Sequence, residues 1–331
     1  MDMSGKRFGE LVARPQGLFV YGVYDAMSAR VAELAGHEAI YVGGYAAAGS
    51  RGLPDMGVLT MTEIIGHIKF IAQAVSGHVK SISQAVSTPL MADIDDGYGN
   101  VNNVIRTVNE LLELPNIGAF HIEDQRYPKR CGHIQRKKIL PLDEFLGKLK
   151  AAIDIRDRIN PYCKVIARTD AFSAIGGKRD ERFDGDINEA VKRLIAYADI
   201  GADYLWCEFP DPNQLSAEAV AERVRTVHPD IALAFNISPS FSTESWLESS
   251  LTEGVLNEMG YKLRFATYPA LLSAMQAVLE SAIEFKREAI GGLKSLKNRV
   301  AKTPVENVME VLGVDRYLAT ERKYDPYDTE K

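Results

Sequence analysis

Residues 118–140, GAFHIEDQRYPKRCGHIQRKKIL, begin as an apolar run with period-two alternation and end in a polar loop. That is the pattern of a buried strand feeding a charged connection. The loop carries Cys131 among Lys129, Arg130 and His133, just after the acids Glu123 and Asp124. A lone cysteine is most often a small buried hydrophobe, yet one set among charged residues is not placed like a core residue. Nearby cations favour the thiolate, so the expectation is a lowered pKa and a group free to move a proton.

Outward from this stretch the same unit recurs from Leu18 onward. Strand-like runs occupy 18–25, 39–44, 89–95, 118–124, 164–170, 204–209, 233–238 and 262–267. Between them lie segments such as 61–75, 101–114, 142–159 and 187–201, with apolar residues at three- and four-residue spacing. Strands alternating strictly with helices imply a parallel sheet, and eight such units predict an α/β fold of the closed (β/α)8 TIM-barrel type. A doubly wound open sheet is the rival. It would normally carry a glycine-rich turn after its first strand, where YDAMSAR stands instead, and the Gly43-Gly44 pair after the second strand lacks the further glycine of a dinucleotide fingerprint. With no linker or low-complexity segment, the reading is one domain over 1–331: a barrel over about 18–290 and a helical extension over about 291–331. The stretch 271–312 reads as one long helix and then a shorter one, either covering its own barrel or reaching to a neighbouring subunit. The last eleven residues are polar and read as frayed.

A net charge of −6 and a pI near 5.6 offer no basic footprint for nucleic acid. The odd, widely spaced Cys131, Cys163 and Cys207 form no disulfide framework. The N-terminus lacks the apolar core of a signal peptide, and no run approaches a membrane span. The expectation is a cytoplasmic protein with no nucleic-acid or membrane partner. His37, His67, His78 and His228 read as surface or packing residues.

In a barrel of this kind the C-terminal strand ends face the active site. Those ends supply Gly43, Gly44 and Tyr45, then Asp93, Asp95, Glu123, Arg168, Asp170, Glu208, Asn236 and Thr267. Asp55, Asp93, Asp95 and Glu123 on one mouth repel one another unless a cation sits among them. Oxygen ligands with little Cys or His nearby suit Mg2+ or Mn2+. Asp96 and Asp124, taken singly, read as caps or solubilisers. Arg168 is suited to clamp a carboxylate bidentately, and Asn236, Ser238 and Ser240 form a neutral donor cluster.

The strings HIEDQ and KRCGH resemble the signature of the isocitrate lyase and phosphoenolpyruvate mutase superfamily, on its carbon-carbon lyase branch; DIDDGYG, FNISPSFS, WCEFP, FATYP and YVGGY resemble further motifs of that family. The resemblance implies a metal at Asp93, Asp95, Asp55 and Glu123, and a catalytic acid/base at Cys131 on a mobile lid with His133, Arg168 and Tyr45 beside it. It implies substrate contacts at Gly43, Gly44, Tyr45, Gly132, His133, Arg168, Glu208, Asn236, Ser238, Ser240 and Thr267. The activity implied is Mg2+-dependent retro-aldol cleavage of a small hydroxy di- or tricarboxylate, isocitrate first. The family alternatives are 2-methylisocitrate lyase, 2,3-dimethylmalate lyase and oxaloacetate hydrolase; a dicarboxylate-binding barrel without catalysis is the non-enzymatic one. It further implies a homo-oligomer, typically a tetramer. Isocitrate lyases usually carry tryptophan where Tyr45 stands and serine where Gly43 stands. The segment after Cys131 is also more charged here, and the chain is as compact as a methylisocitrate lyase.

Overall fold

The computed structural model describes residues 2–75, 88–134, 136–183 and 185–324. His78 and the end of the polar tail lie outside them. Eight parallel strands close in sequence order into a barrel: β1 (Leu18–Val23), β2 (Ile40–Val42), β3 (Leu90–Asp93), β4 (Ile117–Glu123), β5 (Lys164–Thr169), β6 (Tyr204–Cys207), β7 (Ala232–Asn236) and β8 (Leu263–Ala266). Closure is made by β1 on β8, with Leu18 opposite Leu263 and Tyr21 opposite Ala266. Each strand falls within two or three residues of the run that foretold it, because both faces of a barrel strand are buried and the apolar signal is continuous.

Two layers of core follow. One lies inside the barrel, where Phe8, Val20, Met91, Ile166, Trp206 and Phe265 pack together. The other lies between strands and helices, and includes Ile68, Val104, Phe145, Leu149 and Leu194. Each fully buried aliphatic or aromatic side chain contributes about 1.5–3 kcal/mol. The helix Ser4–Val12 buries Phe8, Leu11 and Val12, and its Gly5 abuts the Tyr162 carbonyl just ahead of β5. It therefore closes the end of the barrel opposite the mouth. Helix starts are capped locally, as where Asn100 accepts from the amides of Asn102 and Asn103 at the head of Val101–Leu112.

Residues 271–312 hold the expected long helix and shorter one, Pro269–Arg287 and Ala289–Val300, with the five-residue Val308–Leu312 in addition; Val314–Tyr324 follows them. The long periodic stretch breaks at Glu288, whose φ of −148° and ψ of 83° leave the helical region. In Pro269–Arg287 only Leu271 is buried, while Met275, Val278 and Ile283 are 58–66% exposed. Beyond its first turn this helix does not cover its own barrel.

Candidate active site

The mouth of the barrel has two halves and a lid. On the β2–β4 side, Asp93 ends β3 and accepts the Gly44 amide at 2.8 Å and the Asp95 amide at 2.9 Å. A Cβ at position 44 would stand 3.2 Å from both the Asp93 and Asp95 carboxylates, so glycine lets the backbone close on them. Asp95 is held at φ 48°, and its carbonyl accepts the Glu123 amide. Burial would raise Asp93, but His121, Lys129 and the two amides bring it down to about 2. His121 is pushed down to about 4, chiefly by burial. Its ring is thus neutral near pH 7, which leaves Lys129 and the amides to keep Asp93 ionised. Burial, with Asp93 and Asp55 adding to it against Lys129, pushes Asp95 up to about 7. Glu123 rises well above the carboxylate range, again through burial.

The cation that these acids demand belongs to the chain itself. The Nζ of Lys129, a buried lid residue, lies 2.8 Å from Asp55 Oδ1 and 2.8 Å from Asp95 Oδ1. Burial would lower its pKa, yet Asp55, Asp95 and Glu123 hold it well above the usual lysine value. This corrects the inference that four carboxylates by themselves require a divalent ion. Among the described residues no three His, Cys, Asp or Glu side chains form a group able to hold a metal directly. The donor set still fits a hard ion that keeps its waters and takes one or two carboxylates. Glu123 Oε1 is buried without a hydrogen-bond partner and Oε2 has only the ion-pair approach of Arg168 Nη1 at 3.0 Å, an arrangement that a hydrated cation would complete.

On the β5–β8 side, Arg168 lies 4.3 Å over the Trp206 ring and grips Asp170 through Nε at 2.9 Å and Nη2 at 3.0 Å, with Nη1 3.0 Å from Glu123. Its bidentate partner is therefore Asp170, where a substrate carboxylate was expected. Glu208 follows β6, fully buried, with Oε1 3.3 Å from His133 Nε2 and 3.5 Å from Asn236 Nδ2. Ser238 is buried and its Oγ accepts the Ser240 amide, while Ser240 Oγ is 3.0 Å from the Tyr268 hydroxyl. Tyr268 stacks on Tyr45 at 4.2 Å, and burial with Tyr268 pushes Tyr45 up to about 12. Gly43 caps the helix Gly44–Gly49 in an extended conformation, and half-buried Thr267 lies one residue past β8.

The lid joins the halves. Its base is pinned by Leu140 N to Asp124 O and Arg126 N to Lys138 O, both 2.8 Å. Asp124 is no solubiliser: fully buried, it accepts from Thr169, Tyr197 and Arg193. Asp96 is likewise buried, paired with Lys148 at 3.0 Å. Gly132 lies directly on the β5–β6 side, since a Cβ there would stand 2.2 Å from Glu208 Oε1 and 2.6 Å from Arg168 Nη2. Lys137, buried, bonds the Gly132 carbonyl and Asp170 Oδ1. Between the two lysines sits Cys131, 7% exposed, its amide 3.1 Å from the Asp55 carbonyl. Burial, with Asp55 adding to it, pushes the thiol up to about 11. The expected lowering is thus reversed, because closure removes water and the neighbouring cations are spent on carboxylates.

The strand-end and lid residues singled out as a site from sequence stand at this mouth, whereas Asp96 and Asp124 are buried in pairs with Lys148 and Arg193. Sequence reasoning gave Lys129 only the role of a cation beside the thiol, and it passed over Lys137, His121, Tyr268 and Tyr41, whose buried hydroxyl is 2.9 Å from His121 Nε2. For the lysines a signal existed: a cation-rich loop beside strand ends full of acids.

The family model described as phosphoenolpyruvate phosphomutase matches residues 8–285. The chain belongs to the isocitrate lyase and phosphoenolpyruvate mutase superfamily. Within that superfamily it is 36% identical to an isocitrate lyase of Haloferax volcanii, over 98% of this chain and 88% of that protein. It is 37% identical to a 2-methylisocitrate lyase of Bacillus subtilis over 67% and 65% of the two chains. A solved 2,3-dimethylmalate lyase superposes with a TM-score of 0.77 at 30% identity, over 98% of this chain and 96% of that one. These three relatives are lyases, and the chain is a carbon-carbon lyase of this group.

Proposed function

We propose that the chain cleaves isocitrate to glyoxylate and succinate, with Mg2+ or Mn2+ as cofactor. The observation that carries this reading is a buried, protonated thiol held between an acid cluster fit for a hard cation and an Asn-Ser-Arg cluster fit for a carboxylate. Asp93 with Asp95, Asp55 and Glu123 would hold the ion, which when bound polarises the substrate hydroxyl and its adjacent carboxylate. The Gly43-Gly44 turn orients the glyoxylate half. Asn236, Ser238 and Ser240, with Glu208, Thr267 and the Nη2 edge of Arg168, receive the succinate half, where negative charge develops as the carbon-carbon bond breaks. His133, neutral because burial lowers its pKa, orients Glu208. A carboxylate of the acid cluster or Tyr45 takes the hydroxyl proton as the carbon-carbon bond breaks, and Cys131 gives its own proton to the succinate carbanion, a task for which a raised pKa keeps the thiol loaded; the thiolate regains a proton from water once the lid opens. The closed lid excludes water during that transfer.

The test is kcat/KM for isocitrate, 2-methylisocitrate, 2,3-dimethylmalate and oxaloacetate with Mg2+ present. Preference for any of the last three reassigns the substrate, and turnover of none leaves only a dicarboxylate-binding barrel. One methylene separates some of these substrates by about 1–3 kcal/mol. The barrel and its C-terminal helices act as one domain in this reading. The exposed apolar face of Pro269–Arg287 docks on a second copy, giving a homo-oligomer that a monomeric mass by light scattering would reject.

A further inference from the structure

We propose that Lys129 is a built-in counter-cation that competes with the divalent ion for the acid cluster, so that entry of the metal loosens the lid until substrate anions arrive. The inference rests on the divalent-ion reading above and goes beyond it in assigning this lysine a role. Its basis is geometric. The Lys129 ammonium is buried to 4% exposure and bridges Asp55 and Asp95 at 2.8 Å each, with the Gly44 backbone close against it. A buried carboxylate pair brought this close is stable only with a cation between its members, and in the free protein Lys129 is that cation. A divalent ion entering the same cluster faces a like charge at contact range in a water-poor pocket, where repulsion is strongest. Either the ion binds weakly or the ammonium withdraws.

Withdrawal has a mechanical consequence. Lys129 stands two residues before Cys131, and the Cys131 amide bonds the carbonyl of Asp55, whose carboxylate Lys129 holds. Losing that ion pair frees the arm of the lid that leads up to Cys131. The residue after the thiol keeps its own hold, since Lys137 bonds Gly132 O and Asp170 on the opposite half of the mouth. Two buried lysines thus fasten one loop at two places, and the acid cluster feels only Lys129. Substrate carboxylates restore negative charge beside the ion and let the lysine return. The order of events follows: metal first with the lid released, substrate next with the lid closed.

The experiment is Mn2+ binding by electron paramagnetic resonance on the intact protein without substrate. Lys129→Met should bind Mn2+ at least ten-fold more tightly than the parent, Lys129→Arg should stay within about three-fold of it, and Lys137→Met should leave the affinity unchanged. Equal or weaker binding by Lys129→Met overturns the proposal. If neither parent nor variants hold Mn2+ at millimolar concentration, the divalent-ion reading itself has failed and this inference falls with it. A second measurement needs no variant: Mn2+ alone should speed tryptic cleavage of the parent within the lid, and unchanged or slower cleavage overturns the proposal independently.

Discussion

The two halves of the mouth carry the same kinds of residue in opposite balance. On the β2–β4 side Asp55, Asp93, Asp95 and Glu123 share one ammonium, that of Lys129, with Arg168 touching only Glu123. On the β5–β8 side Arg168 and Lys137 face Asp170 and Glu208, and the charges cancel. An under-neutralised cluster costs free energy to bury unless it is completed by something from outside. A neutralised one is finished and can act as a rigid platform. On the proposed reading the difference divides the labour: one half receives a cation, the other orients donors around a developing charge. The lid lays one lysine on each, with Cys131 between.

The strongest way to break this picture is to remove the group at the seam. Cys131→Ser should lower kcat about 10³-fold, within the range for loss of a positioned general acid, while substrate and Mn2+ binding persist. Activity within ten-fold of the parent would unseat the thiol. Next comes the platform side. Gly132→Ala forces a methyl against Glu208 and Arg168, holding the lid open by an ångström or so, and kcat should fall about 100-fold with little change in Tm. An unchanged kcat would mean that the lid closes elsewhere. Smaller again is Lys137→Met, which leaves the carbonyl of Gly132 and one oxygen of Asp170 without their ammonium. Arg168 still grips Asp170. A drop in kcat of about ten-fold is expected, with stability lowered by about 1–3 kcal/mol in urea unfolding. A parent-like kcat and stability would show that this half needs no fastening.

How much of this could be read from the chain follows the same division. The strands were legible because Ile117–Glu123 and its neighbours are apolar on both faces, and the acids at Asp93, Asp95 and Glu123 announced themselves by position. The charge pairing was not. Lys129 and Lys137 look like solvated loop residues, Arg168 looks like a free clamp, and only folding brings Asp55, Asp95 and Asp170 to meet them. The prediction about Cys131 failed for that reason. It counted the cations along the chain, whereas in space those cations are already committed and burial decides.

The smallest effect on cleavage, and the most discriminating, concerns pH. In the cleavage direction Cys131 must hold a proton to give away. An ordinary cysteine titrates near pH 8.5, so a free thiol would lose half its protonated form there. Raised to about 11 by burial, this one stays protonated through the working range. The cleavage rate at saturating substrate should therefore change less than two-fold between pH 7 and 9. In the proposed reaction, condensation of glyoxylate with succinate at saturating substrates needs the thiolate instead, so its rate should climb steadily with pH over the same interval. A flat cleavage rate beside a rising condensation rate would tie the proton to a single high-pKa group. A cleavage rate that falls with a midpoint near 8.5 would mean that Lys129 acts on the thiol after all, and that the neutralised and under-neutralised halves are not as separate as their geometry makes them.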